Sequence, residues 1–198
     1  MRRLRCLSRF CTKASSWCTF KQALTSTYTL SNENTLQVGL HQSTRERITA
    51  SFKEWISPHF NDKDYFVTLT FRSWVKFDEV RCSADIKHFL KSINRKVYGK
   101  ANIKKGMQLK CFPIFELNHS DGVHVHMMLQ KPNDIARLHM PFEALVIETW
   151  QNMRCGGVRK AQDITPCNGV TTRIGYQSKQ INTADKLLKM DVHNIHLY

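Results

Sequence analysis

Gly122-Val123-His124-Val125-His126-Met127-Met128-Leu129 places two histidines one residue apart inside an otherwise apolar run. In a β-strand successive side chains point to opposite faces, so His124 and His126 stand together on one face. Val123, Val125, Met127 and Leu129 fill the other face and need a core to bury them. A strand with one apolar and one chemical face belongs to a sheet covered by other elements, and the flanking sequence supplies them.

Just upstream, Lys110-Cys111-Phe112-Pro113-Ile114-Phe115-Glu116-Leu117 reads as a second strand, joined through the turn-forming Asn118-His119-Ser120-Asp121-Gly122. Pro113 points to an edge or a bulge. The hairpin register governs Glu116. A three-residue loop of Ser120-Asp121-Gly122 pairs His119 with Val123 and sets Glu116 opposite His126, on the histidine face. A four-residue loop turns Glu116 away.

Further out, Tyr65-Phe66-Val67-Thr68-Leu69-Thr70-Phe71 has the β-branched and aromatic composition of a buried strand. Ser83 can cap a helix with Ile86, Phe89, Leu90, Ile93 and Val97 on one stripe. Pro141 opens a helix carrying Phe142, Leu145, Val146, Trp150 and Met153, Gly156-Gly157 ends it, and Gly157 to Ile164 forms a last strand. The order β-α-β-β-α-β predicts an α+β fold of ferredoxin-like (split βαβ, RRM-like) plan. Its antiparallel sheet has helices on one face and leaves the other free for a substrate. Before it, the capping box Ser43-Thr44-Arg45-Glu46 predicts a helix over about 44 to 57, stopped by Pro58. After it, residues 170–181 form a Thr-capped helix with Tyr176, Lys179 and Gln180 on one face.

The chain has 198 residues, enough for one domain with a short extension. Thirty Lys and Arg against sixteen Asp and Glu leave a net charge of +14, which favours a polyanionic partner such as nucleic acid. Residues 1–40 read as a basic, flexible arm and 41–198 as the folded domain. The domain is basic in its own right, with 22 basic and 14 acidic residues after position 50. Seven cysteines without a Cys-x-x-Cys pair indicate neither a disulfide framework nor a zinc ribbon. No apolar run approaches the roughly 20 residues that cross a bilayer. The expected setting is a reducing cytoplasm, bacterial or that of a host cell, without membrane contact.

Two imidazoles and one carboxylate, His124, His126 and Glu116, would give a divalent cation three protein ligands and leave positions for phosphate oxygens or water. The mixed nitrogen and oxygen set suits Mg²⁺ or Mn²⁺ in a cell, although Co²⁺, Ni²⁺ or Zn²⁺ can bind more tightly.

His124-Val125-His126 in a hydrophobic strand, followed by Tyr176-Gln177-Ser178-Lys179-Gln180, resembles the HUH endonuclease superfamily, whose pattern is His-hydrophobic-His and then Tyr-x-x-Lys on a downstream helix. Phe66-Val67-Thr68-Leu69-Thr70-Phe71 resembles that family's first motif. Within the superfamily the chain is most similar to single-tyrosine rolling-circle replication initiators (Rep proteins) of small phages and plasmids.

The resemblance implies that Tyr176 attacks a phosphorus of single-stranded DNA at a replication origin, leaving a 5′-phosphotyrosine link and a free 3′-OH. A cation on Glu116, His124 and His126 would stabilise charge on the phosphate. Lys179 would favour the phenolate or screen the phosphate, and Gln180 would orient the tyrosine or a water. Arg72, Arg159, Lys160 and Arg173 are the expected DNA contacts. A Walker A motif does not occur, and the 18 residues after Gln180 leave no room for a helicase domain, so unwinding and extension are expected from a host helicase and polymerase. Two alternatives share the pattern: a single-tyrosine transposase or relaxase of the same chemistry, and a non-catalytic RRM-like nucleic-acid-binding module.

Overall fold

The computed structural model describes residues 42–118, 122–133, 138–180 and 190–198. The basic arm lies outside the described residues. In chain order the elements are α1 (Gln42–Ile56), β1 (Tyr65–Thr70), α2 (Glu79–Lys104), β2 (Cys111–Asn118), β3 (Gly122–Leu129), α3 (Phe142–Gln151), β4 (Asp163–Pro166) and α4 (Val170–Gln180). The strands form one antiparallel sheet in the order β2-β3-β1-β4. This α+β arrangement is the expected ferredoxin-like plan, with β1 and β3 in the middle and a helix crossing over between the strands of each half.

The alternation of β3 holds. Val123, Val125, Met127 and Leu129 join Val67 and Leu69 of β1 in a core closed by Ile86, Phe89 and Ile93 of α2 and by Leu145, Val146 and Trp150 of α3. Full burial of each such side chain contributes roughly 1.5–3 kcal/mol, enough to hold both crossover helices on this face.

The opposite face is not free, contrary to the expectation above. Phe66, Phe112, Ile114 and Met128 carry a second core with Phe52, Trp55 and Ile56 of α1 and with Val170 and Ile174 of α4. Sheet residues on this side are apolar toward one end, and that end must be covered. Glu116, His124 and His126 follow toward the other end.

Several boundaries differ from the sequence reading. The α1 helix starts at Gln42, and α2 starts four residues before Ser83, capped by Asp78, whose side chain accepts from the Arg81 amide at 2.8 Å. Ser83 is buried inside α2, where its hydroxyl donates to Asp191 Oδ1 at 2.7 Å. The last strand is shorter and later than residues 157–164, because Gly156 and Gly157 pack against the end of β1 instead of extending a ladder. Pro113 does lie on an edge strand, and residues 190–198 run along that edge with bridges Ile114↔Met190 and Cys111↔His196.

Candidate active site

The hairpin register pairs Asn118 with Gly122, Glu116 with His124 and Ile114 with His126. This is two residues away from the expected pairing of Glu116 with His126. Because side chains alternate with period two, the shift leaves Glu116 on the histidine face. The carboxylate reaches diagonally: Glu116 Oε2 lies 2.5 Å from His126 Nε2.

Both histidines are held from behind by threonines of β1, which pair with them across the strand: Thr70↔His124 and Thr68↔His126. Thr70 Oγ1 donates its one proton to the Ala161 carbonyl, so toward His124 Nδ1, 2.9 Å away, it accepts. The neutral His124 ring therefore carries its proton on Nδ1, and its Nε2 lone pair is left buried and without a partner. A buried, unpaired imidazole nitrogen oriented by a hydrogen bond on the other ring nitrogen is the arrangement in which histidine binds metal.

His126 differs. Thr68 Oγ1 lies 3.0 Å from its Nδ1, and a hydroxyl can donate to or accept from that nitrogen. With Nε2–H donating to Glu116, Thr68 donates; with Nε2 turned to a cation, Thr68 accepts. Among the described residues no three His, Cys, Asp or Glu side chains form a ready-made metal cage. Glu116 bonds His126 directly, and a cation is admitted once that carboxylate turns away from Nε2. The donor set fits a divalent ion on the strength of the orphaned His124 nitrogen and the adaptable His126.

Tyr176 sits where the candidate chemistry requires it. Its ring stands 5.8 Å from the His126 ring and 6.1 Å from Phe66, edge-on to both, and 45% of the residue is exposed. The α4 helix owes this placement to a cap that sequence reading missed. Asp62, not a threonine, accepts from the amides of Gly169 and Val170 at 2.9 and 3.1 Å, while Ile174 is fully buried against the sheet.

Arg173, one turn before Tyr176, lays its guanidinium over the Phe66 ring at 5.2 Å. Arg72 is exposed and its Nε donates to the Gly156 carbonyl at 2.8 Å; Arg159 is exposed in a short 3₁₀ turn. Lys179 and Gln180 fall in the last turn of α4, and Lys160 in the same 3₁₀ turn as Arg159, but their side chains lie outside those described.

Residues 64–185 match the ORF2 family of replication-associated proteins. The chain belongs to that family. The matched segment of this replication-associated protein opens just before β1 and closes beyond α4, so it contains the threonines, Glu116, both histidines and Tyr176. The α1 helix and the edge segment 190–198 lie outside it. No curated protein and no solved structure matches the chain.

Besides Thr68, Thr70 and Asp62, the sequence reading missed Gln177. It is fully buried, its Nε2 points to the His126 carbonyl at 3.5 Å and its Oε1 has no partner. The threonines had a signal, since they alternate with Val67 and Leu69 as the histidines alternate with valine. Gln177 had none. The cysteines take no part: Cys111 and Cys155 belong to the other core, and burial pushes both thiols up to about 12, which keeps them protonated. No described helix is long and apolar enough to cross a membrane.

Proposed function

We propose that this replication-associated protein is a DNA-nicking and strand-joining enzyme of the HUH type that starts rolling-circle replication. The observation that carries the reading is the Tyr176 ring, half exposed and edge-on to His126, on the sheet face that also bears Glu116 and His124.

Tyr176 Oη attacks a phosphorus of single-stranded origin DNA; the P–O3′ bond breaks, the 3′ oxygen leaves with a proton as a free hydroxyl, and the 5′ phosphate remains esterified to the tyrosine. The ester conserves the bond, so a later 3′-OH can reverse the step and rejoin the strand. Glu116, His124 and His126 would hold a divalent cation, Mg²⁺ or Mn²⁺, which when bound supplies Lewis-acid stabilisation of charge on the phosphate oxygens. Thr70 keeps His124 Nε2 unprotonated, Thr68 lets His126 adopt either tautomer, and Phe66 supports the tyrosine ring. Lys179 and Gln180 lie one turn beyond Tyr176 and would act on its proton and orientation. Arg173, Arg72, Arg159 and Lys160 would bind the DNA backbone. A host helicase and polymerase would unwind and extend the strand.

The test is incubation with single-stranded origin DNA and Mn²⁺, followed by denaturing electrophoresis. A covalent protein–DNA adduct is expected from the wild type and none from Tyr176→Phe, and chelation by EDTA is expected to stop the reaction. An equal adduct from Tyr176→Phe refutes the nucleophile, and normal cutting by His124→Ala with His126→Ala refutes the metal site.

A further inference from the structure

Two loops meet beside the site, and both are basic. Residues 72–77 and 152–162 together contain Arg72, Lys76, Arg154, Arg159 and Lys160 and no acidic residue. Both are tied to the end of β1, two residues from the Thr70 that orients His124. The Arg72 amide donates to the Cys155 carbonyl and the Gly157 amide to the Thr70 carbonyl, each at 2.9 Å. The Gln162 side chain accepts from the Thr70 amide at 2.8 Å and donates back to the Thr70 carbonyl at 3.2 Å.

The packing leaves no slack. A Cβ at Gly156 would lie 1.9 Å from the Trp150 carbonyl oxygen, and one at Gly157 2.5 Å from that of Thr70. The pair is therefore a rigid rim rather than a loose flap.

On this rim Trp74 is 50% exposed, whereas Trp55 and Trp150 are 6% and 0% exposed. The turn that carries it closes with Val75 N donating to the Arg72 carbonyl at 2.9 Å, and Val75 itself is buried in the core. With Val75 anchored inward, the neighbouring indole is held outward. Val158, on the other loop, is also exposed. A large aromatic surface kept in water among cations and no anions matches a strand whose bases are unpaired: phosphates meet the guanidinium and ammonium groups while a base covers the ring.

We propose that Trp74 is a stacking site for an unpaired base of single-stranded DNA, with the cations of the two loops holding the flanking phosphates. The inference deepens the nicking reading, on which it rests for the choice of DNA, by giving the strand a grip beyond the reacting phosphate.

The test uses the full chain and two labelled probes of about 16 units, oligothymidylate and the same backbone with abasic sugars throughout, followed by fluorescence anisotropy. Wild type should prefer oligothymidylate to the abasic strand. Trp74→Ala should lose about five- to hundredfold in affinity for oligothymidylate, leave the abasic strand unchanged, and so erase the preference. Trp74→Phe should restore most of it. Arg154→Ala should instead weaken both probes alike and flatten the salt dependence. Trp74→Ala binding oligothymidylate within twofold of wild type overturns the proposal, as does a wild type with no preference for bases. Adduct formation at Tyr176 is scored separately. An adduct with an indifferent Trp74 leaves the nicking reading standing and removes this site; Trp74-dependent binding without an adduct does the reverse.

Discussion

Thr70 stands directly opposite His124 across β1 and β3, and its single hydroxyl both gives a proton to Ala161 and takes one from His124 Nδ1. One side chain thereby sets the tautomer of a candidate ligand and ties the loop before β4 to the site.

Thr70→Val keeps the shape and removes both bonds. Metal affinity, measured by titration calorimetry with Mn²⁺, is expected to fall about 10- to 100-fold, the usual effect of losing a group that orients a ligand. Thr68→Val should cost less, because His126 also has Glu116 beside it.

Tyr176→Phe retains the ring that packs edge-on to Phe66 and His126. Its melting temperature should match the wild type while covalent adduct formation disappears. A lower melting point would mean that the hydroxyl has a structural partner.

Gly157→Ala forces a methyl to within 2.5 Å of the Thr70 carbonyl oxygen. Overpacking of this kind costs about 1–3 kcal/mol, to be read as a reduced urea midpoint. DNA binding should weaken in the same variant, since the displaced loop carries Arg154 and Arg159.

Burial, and then the neighbouring Lys110, hold the His196 imidazole below its ordinary value. A folded-state value lowered in this way means that the unfolded chain takes up a proton that the folded chain refuses. The contribution to stability is complete above the unfolded value of about 6.5 and is lost as the pH falls through it. His196 bridges Cys111 through both backbone bonds, at 2.7 and 3.0 Å, so the edge segment should loosen first. Amide exchange of residues 190–198 should quicken between about pH 7.5 and pH 5.5 in the wild type and respond less in His196→Gln.

Local pattern carried much of this protein. The period-two alternation of residues 122–129 determined which face holds the histidines, because the dihedral repeat of a strand leaves no other choice. The same alternation kept Glu116 on that face even though the register lies two residues from the expected one. A slip of one would have reversed it. The order of helical and extended periods was enough for the ferredoxin-like plan, and Pro113 marked the edge.

Only the tertiary structure decided the rest, because it depends on partners far apart in the chain. Asp62 caps a helix more than a hundred residues downstream, and α1 closes the face that alternation alone left open. The direction of the Thr70 proton follows from a carbonyl at position 161, and the nearness of Tyr176 to His126 from the packing of Ile174 beneath it. Periodicity is a property of neighbours in sequence. The meeting of a tyrosine with an imidazole fifty residues away is set by which buried surfaces fit together.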